Sequence, residues 1–493
     1  MTEKDARLLF APNKRITIKL ELLDSYYQVI ENLQGKATQF SMNVSSDSDI
    51  RRTASITLMV EEAEMAQGIS KKVWLDNMVR AYALIEDVEE GESEEYLIGS
   101  FLFTESAYSY DATTQELSLN LVDMMASATS ARGSQIGYDL LIPYGSNMRG
   151  ALISTVARFS NFKRYDVPEF EDAVYYDVEV PRGSYGHTAL TALMAMYPTY
   201  QMFYDREGVF VVSPIPTKIE DPVEIDADIM DNILIAEKKN ESMTDVANVI
   251  EIWGDELEPD YVATECVRNG RDYNLTIPAE IESLEVNSIY SFTPDENNLE
   301  GQRISVNGKI SIPVYIHSGD GTETPISADA IKKDINYCVQ YAGNDKFYFM
   351  GESLIHVIAK EVLEEPSEEE KERQRNLDGC EDIIWVVNPL SKYAIEKLGE
   401  IKRVYSDGDY VDIYTTQLGF ERAKYELWKK TRQQDTVTLQ TLLIPTLDVN
   451  MKIAYTSSDS QERAEYLVKS FSGDFVNGVM TIEATRFYPY YPF

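Results

Sequence analysis

Cysteine is scarce in this sequence, with three residues among 493. Cys266, Cys338 and Cys380 lie far apart and form no C-x-x-C pair, so the sequence predicts neither a zinc cluster nor a disulfide framework. This pattern fits synthesis in a reducing cytoplasm.

Histidine is equally rare, and His187, His317 and His356 have no second histidine or cysteine three or four positions further on. The sequence also lacks the G-x-S-x-G, P-loop and G-x-G-x-x-G motifs of common enzymes. We therefore predict no catalytic residue, no cofactor-binding residue and no metal ligand, and a chain that is not an enzyme.

Two acidic pairs, Asp226/Asp228 and Asp407/Asp409, lack the spaced series and terminal glutamate of a calcium loop, so we assign them to turns and linkers. A glycosidase needs two carboxyl groups about 5–10 Å apart in a cleft, which a sequence does not show. A peptidoglycan- or carbohydrate-active β-rich enzyme therefore stays open as the alternative. A cell-surface adhesin would need a signal peptide or an anchor, and the sequence shows neither.

Basic residues are few: 45 Lys and Arg stand against 83 Asp and Glu, a net charge of −38. Because proteins grip nucleic acid through Lys and Arg, we predict no specific nucleic-acid binding. The N-terminus has no apolar signal-peptide core, and no apolar run reaches membrane-spanning length. We therefore predict no membrane segment.

What the chain does contain is apolar and aromatic material, with 44% hydrophobic residues and 32 tyrosines. Tyrosine suits half-buried strand surfaces and protein interfaces. A chain of this length exceeds one hydrophobic core, so two to four domains are expected.

Apolar and polar residues alternate in both end regions, which predicts antiparallel strands with one wet face. The predicted strands of the first region are 16–22, 40–44, 54–60, 77–86, 96–104 and 117–121. Those of the last region are 436–444, 451–456, 465–470 and 479–484. Each region therefore predicts a β-barrel or sandwich.

The middle of the chain changes character. Asn147 can cap a helix that carries Met148, Leu152 and Val156 on one face, and a second helix is predicted at 187–197. A hairpin follows, with strands at 200–204 and 209–212, and then an acidic linker at 220–231.

Beyond residue 246 we predict strands with long loops at 249–253, 347–350, 354–359 and 410–414, and a helix at 418–431. The charged run 361–375 predicts an exposed solvated helix or linker. The fold of 272–324 is left open. The predicted domains are 1–135, a barrel; 136–220, α+β; 221–400, β-rich with a charged linker near 361–378; and 401–493, a helix plus the meander that completes a second barrel.

Several stretches resemble tail proteins of phages and prophages of Gram-positive bacteria. They are IRRTASITL at 50–58, YQMFYDREGVFVVSPIP at 200–216, LIPTLDVNMKIAY at 443–455, YLVKS at 466–470 and TIEATRFYP at 481–489. In order, they span most of the chain. The family they resemble is that of phage tail hub or baseplate hub proteins, including the N-terminal region of tail-associated proteins.

This resemblance implies a mainly β fold in which two tail-tube-like β-barrel domains combine with smaller α+β domains. It implies a homotrimer that caps the distal end of the tail tube and adapts sixfold to threefold symmetry. The implied partners are a tail tube or distal tail protein, a tip, spike or lysin protein, and the tape-measure protein. The implied location is the virion tail tip, assembled in the host cytoplasm.

Because the chain ends at Phe493, soon after the last predicted strand, we expect no appended peptidase or lysozyme. The strong acidity fits a channel through which DNA slides, since cations on its wall would hold the phosphates. We therefore expect an acidic channel surrounded by six barrels from three chains.

Overall fold

Strands outnumber helices throughout the chain. The computed structural model describes residues 3–24, 26–33, 36–59, 73, 77–110, 115–160, 162–170, 173–174, 176–216, 224–225, 227–241, 244–254, 259–279, 281, 283–317, 323–407, 410, 413, 416–432, 435–458 and 461–486. Within these ranges, no helix combines the length and the apolar composition that crossing a membrane requires.

The helices are mostly short, and a 3-10 helix spans Met124–Ala128. The α-helices are α1 Glu3–Phe10, α2 Met148–Phe159, α3 Gly186–Ala195, α4 Ala227–Ile233, α5 Glu368–Asp378, α6 Ile395–Leu398 and α7 Thr416–Arg432.

The first region contains strands β1 Lys14–Leu23, β2 Val29–Leu33, β3 Lys36–Ser45, β4 Arg52–Met59, β5 Met78–Asp87, β6 Ser93–Tyr110 and β7 Gln115–Val122. The α+β region contains β8 Leu140–Ile142, β9 Tyr165–Asp166, β10 Val178–Val180, β11 Tyr200–Tyr204 and β12 Phe210–Pro214.

The third region contains β13 Glu224–Ile225, β14 Leu234–Glu241, β15 Val249–Trp253, β16 Tyr261–Val262, β17 Glu265–Asn269, β18 Asp272–Thr276, β19 Ile289–Phe292, β20 Arg303–Val306, β21 Ile312–His317, β22 Glu323–Pro325, β23 Tyr337–Gly343, β24 Lys346–Glu352, β25 His356–Val362, β26 Asp382–Val387 and β27 Lys402–Tyr405. The last contains β28 Asp435–Leu442, β29 Lys452–Thr456, β30 Arg463–Asp474 and β31 Val479–Arg486.

A single sheet unites the two ends of the chain. Its main path runs β14-β28-β31-β30-β3-β4-β7-β6-β5-β1-β2, and β13 and β29 branch from it at β30. The link between the ends is the antiparallel pairing of β3 with β30, from Ser41 opposite Asp474 to Ser45 opposite Ser470. One apolar core lies beneath both ends, with Phe40 and Ile56 from the first region and Leu439 and Ile482 from the last.

The α+β region lies against this sheet around its own core. Asn147 caps α2, accepting a 2.7 Å hydrogen bond from the backbone N–H of Gly150, as the sequence predicts. Strands β11 and β12 form the predicted antiparallel hairpin, and β9 pairs with β12 in parallel. Leu152, Leu190 and Phe210 are fully buried between these elements.

The third region holds two further sheets. A nine-stranded sheet contains β16 to β24, and so residues 272–324, whose fold the sequence leaves open, supply β18 to β22 where they are described. A four-stranded sheet has the order β26-β25-β15-β27, and α7 packs on its apolar face through Leu427 against Val357 and Ile252. The mainly β fold class with α+β insertions is confirmed.

One linker prediction is wrong, and the prediction of an exposed helix or linker at 361–375 is wrong only at its start. The described part of 220–231 contributes β13 and most of α4, because Ile225 and Met230 are apolar anchors buried in the core of the large sheet. The start of the region near 361–378 is a strand, because Glu361 and Val362 are buried in β25. From residue 363 to the end of α5 no residue is buried, as predicted for an exposed charged segment.

The described part of the predicted strand 410–414 is Tyr410 and Ile413, and the remainder lies outside the described residues. The sequence indicates no strand between the predicted linker and residue 246, whereas β14 pairs there with β28 along its length. The alternation in β14 is weak because Lys238, Lys239 and Asn240 are all exposed at the rim of the sheet.

Candidate functional site: a buried charged junction

Three stretches far apart in the sequence, 50–58, 200–216 and 443–455, meet at one buried point. They are stretches on which the resemblance to tail proteins depends. We call this point the junction and define it by its charged side chains, Arg51, Arg52, Asp123, Arg206 and Asp448.

Arg52 is the centre of the junction. It occupies a core-facing position of β4 and is 1% exposed. Its guanidinium donates a 2.6 Å hydrogen bond to the carbonyl of Tyr204 and a second hydrogen bond to the carboxylate of Asp448. One side chain thereby joins the first region, the α+β hairpin and the last region.

Arg206 lies on the turn of the hairpin and connects it to the last region. Its Nε donates to Asp448 at 3.2 Å, and its Nη1 donates to the carbonyl of Pro445 at 2.9 Å. The turn that carries it is also anchored to the first region, because Tyr27 donates a 2.7 Å hydrogen bond to the carbonyl of Gly208. Gly208 has φ +77°, and a Cβ there would lie 2.9 Å from the Tyr27 ring, so this turn requires glycine.

A second layer of polar contacts supports Arg51. Its guanidinium donates a 2.6 Å hydrogen bond to Oε1 of Gln201 and lies 3.6 Å from the ring centre of Phe203. The same Gln201 oxygen accepts a 2.6 Å bond from Asn450. The hairpin β11–β12 is therefore held between the two ends of the large sheet.

The two carboxyl groups of the junction are shifted in opposite directions. Burial raises the pKa of Asp123 to about 6, although its oxygens accept hydrogen bonds from the backbone N–H groups of Arg52 and Met125. Burial would also raise the pKa of Asp448, but the guanidiniums of Arg52 and Arg206 outweigh it and hold that pKa below its ordinary value. Asp448 is therefore the counter-ion of the junction, and Asp123 is a backbone-binding carboxyl.

The junction has a structural role, because it holds separate segments of the chain together. Its arginines donate hydrogen bonds to oxygen acceptors on separate segments, so these bonds fix the angle between the segments. None of these residues is a site residue predicted from the sequence. The sequence does indicate that Arg52 is buried, because the alternation of Ala54, Ile56 and Leu58 places position 52 on the core face. A buried arginine needs a partner.

The histidines that the sequence singles out are separated in the structure. His187 lies at the start of α3, 3.7 Å from Asp49, and burial lowers its pKa. His356 stacks on Trp253 with ring centres 3.7 Å apart, and its Nε2 lies 2.9 Å from Glu251. The side chain of His317 lies outside the described residues.

The other candidates are equally dispersed. The three cysteines are buried, carry free thiols and belong to separate apolar clusters. Asp226 and Asp409 lie outside the described residues. In the part of the chain that is described, no group of three or more His, Cys, Asp or Glu side chains is arranged to hold a metal ion.

A second ionic cluster, the sheet network, lies on the four-stranded sheet. Nζ of Lys360, which is fully buried, is 2.6 Å from Asp378 and 2.8 Å from Glu400. Nζ of Lys402 lies 2.9 Å from Glu251 and 3.5 Å from Asp378. Each carboxylate in the network therefore faces a lysine, an arrangement that fixes α5 to the sheet.

The face of the large sheet that points away from the core is polar. In β3, β4, β7, β28, β31 and the second half of β30 it carries mainly hydroxyl and amide side chains. Among the side chains described at these positions, the charged ones are acidic: Glu116, Asp474 and Glu483. A groove of about 480 Å³ lies on this face where β3, β30, β31 and β28 meet, lined by Ser41, Asn43, Gln440, Ser472 and Thr481.

Comparison with known proteins identifies similar folds and one family. A protein family described as a domain of unknown function (DUF5048) matches residues 390–491. No curated protein matches the chain in sequence.

Three solved structures are similar over nearly the whole chain. The 43 kDa tail protein of prophage MuSo2 from Shewanella oneidensis is 10% identical, with a TM-score of 0.47 and 95% of this chain and 98% of that chain covered. The tail protein from Neisseria meningitidis MC58 is 7% identical, with a TM-score of 0.48 and 96% of each chain covered. The prophage tail protein gp18 from Listeria monocytogenes EGD-e is 8% identical, with a TM-score of 0.41 and 95% and 94% covered.

Proposed function

We propose that this chain is a structural tail hub protein. Three copies would form a ring that caps the distal end of a phage-type tail tube, adapts its sixfold symmetry to a threefold tip and forms part of the channel for DNA ejection. The observation that carries this proposal is the single sheet that unites the two ends of the chain through β3 and β30. One chain thereby supplies two neighbouring wall segments, as a threefold-to-sixfold adapter needs.

The junction supports the proposal because a wall segment must keep its angle under load. Arg52 and Arg206 connect the first and last regions through Asp448, and the hairpin turn lies between them. Hydrogen bonds from buried guanidiniums to acceptors on several segments resist shear better than apolar contacts, because they are directional.

The polar face of β3, β4, β7, β28, β31 and the second half of β30 is the surface that we assign to the channel. Its hydroxyl and amide groups offer DNA only weak neutral contacts, and Glu116, Asp474 and Glu483 repel phosphates within a screening length of about 8 Å. The expectation of an acidic channel changes accordingly: the assigned face is nearly neutral with a few acidic groups, and most of the net charge lies elsewhere.

The proposal includes the expected domains and partners. The domains are 1–135, 136–220, 221–400 and 401–493, and the partners are a tail tube or distal tail protein, a tip, spike or lysin protein, and the tape-measure protein. The location is the virion tail tip after assembly in the host cytoplasm. The role is mechanical, without cofactor, metal or catalytic turnover.

The first test is assembly of the purified chain. Light scattering and negative-stain electron microscopy across a salt series should show a ring of three chains, favoured by salt because like charges then repel less. A monomer at every concentration, or a channel lined by Lys and Arg, would contradict the proposal. Labelled peptidoglycan incubated with the chain, with and without metal, should release nothing, whereas dose-dependent release would favour the enzyme alternative.

A second test addresses the channel face directly. In assembled particles, the variant Ser55→Lys/Ser118→Lys would place cations on the polar face, and DNA ejection should slow because the new charges bind phosphates. The control is Glu369→Lys on the exposed helix α5, which adds positive charge away from that face. Equal ejection rates for the two variants would count against the channel assignment.

A further inference from the structure

The two ends of the large sheet are open, and we infer that they join neighbouring copies: the outer edge of β2 in one copy pairs with the outer edge of β14 in the next. This inference deepens the proposed function and rests on its ring of copies, because it names the surface by which they meet.

Both edges have a free side in the structure. β2 pairs with β1 and β14 pairs with β28, and within the described ranges no strand occupies the outer side of either. The exposed fractions of Val29, Ile30 and Ile235 are 52%, 54% and 57%. Open strand edges with exposed apolar side chains are templates for pairing with another chain.

Strand direction decides how the edges can meet. The path from β14 to β2 contains eleven strands, and each is antiparallel to the next, so the first and the last point the same way. Rotation about a ring axis preserves this direction. The contact between β2 and β14 is therefore parallel and head-to-tail, the kind of contact that closes a ring.

Charge is complementary across this contact. Glu31 lies opposite Leu22 in β1, and Lys239 lies opposite Val437 in β28, so both side chains are on the core side of the sheet. When the two edges pair, Glu31 and Lys239 therefore lie on the same face of the joined sheet. Lysine at a strand edge can also prevent pairing. The lysines of this contact are on β14, whereas β2 carries neither lysine nor proline and so lacks that protection.

Cross-linking tests the contact. In a parallel pair, the register that places Glu31 beside Lys239 places Asn32 beside Asn240. Both residues lie on the polar side of the sheet, opposite Glu21 and Thr436. Chains that carry Asn32→Cys, mixed with chains that carry Asn240→Cys, should form a disulfide-linked dimer under mild oxidation, and the native cysteines should not interfere because they are buried. The control replaces Asn240→Cys by Ile310→Cys, an exposed position in the loop between β20 and β21, and should give no such dimer.

A charge swap provides the second readout. Glu31→Lys and Lys239→Glu should each weaken assembly about tenfold, which corresponds to about 1.4 kcal/mol. The double variant should restore it, whereas Glu31→Lys combined with Lys238→Glu, on the other face, should not.

The outcomes separate the two proposals. A ring of three copies that gives no cross-link and ignores the charge swap would overturn the edge contact and leave the proposed function standing. A chain that stays monomeric at every concentration would overturn both. Cross-linked open fibres without a closed ring would support the edge contact and contradict the hub.

Discussion

The junction and the sheet network are both buried ionic clusters, and they differ in the distance along the chain that each one connects. The Arg52–Asp448 pair of the junction links residues 396 positions apart. In the sheet network, Lys360 is paired with Asp378 and Glu400 from the same small unit. A buried ion pair adds little net stability by itself, but breaking one leaves an uncompensated charge. The junction therefore controls how segments are arranged, and the sheet network controls only local packing.

Removal of Asp448, the counter-ion that Arg52 and Arg206 share, should have the largest effect on the free energy of unfolding. Asp448→Ala leaves Arg52 buried without its carboxylate and weakens the hold on Arg206. We expect a loss of about 3 kcal/mol in the free energy of unfolding, the lower end for a broken buried pair because Asp448 is partly exposed. Urea denaturation measures this loss.

The control for this variant is Asp139→Ala, which removes the partner of Arg182 in an exposed pair and should change stability by less than about 1 kcal/mol. Equal losses in the two variants would show that the junction is an ordinary surface contact.

Asp123 should give the next largest effect, as a pH dependence. Its pKa in the folded chain is raised from 3.8 to about 6, so the folded state holds the proton more tightly. The contribution of Asp123 to the free energy of unfolding is then fully present below pH about 4. It is lost as the pH rises through about 6, and the loss is about 3 kcal/mol.

In Asp123→Asn this pH slope should disappear, as measured by urea midpoints between pH 4 and 8. The pKa of Asp448 is lowered, so its contribution is lost only as the pH falls below its ordinary range. An unchanged slope between pH 4 and 6 in the variant would assign the effect to another group.

The smallest effect should follow a change in the sheet network. Lys360→Met removes the buried ammonium, but Asp378 keeps Lys402 and Gln374, and Glu400 is about one-third exposed. We expect a loss of about 2 kcal/mol, confined to the four-stranded sheet and α5. Hydrogen exchange should show faster opening there and unchanged protection in the large sheet, and loss of protection in both would show that the two clusters are coupled.

Much of the local structure could be predicted from the sequence. The strands of both end regions, the helix after Asn147 and the β11–β12 hairpin all lie within a few residues of their predicted positions. Such elements depend on neighbours within a few positions, through period-2 alternation, a capping side chain or a turn glycine. By contrast, β14 was missed, because a strand at the rim of a sheet buries too little to alternate clearly.

The candidate site was predictable only in part. An arginine at the core-facing position 52 indicates a buried partner, but nothing in the sequence identifies Asp448 as that partner. The same holds for the predicted linker near 361–378: charge alone indicates exposure, while Lys360 and Glu361 are buried in β25.

By itself the sequence determined most strands of the two end regions, which face of each of those strands is apolar, and that basic residues are too few to grip DNA. The tertiary structure alone decided that β3 pairs with β30, that three remote stretches meet at Arg52, and that β14 and β2 form the open edges. The physical reason is that period-2 alternation specifies the side on which a residue lies but not the neighbouring strand. That choice is made among long-range contacts, where complementary shape and buried charge select one pairing.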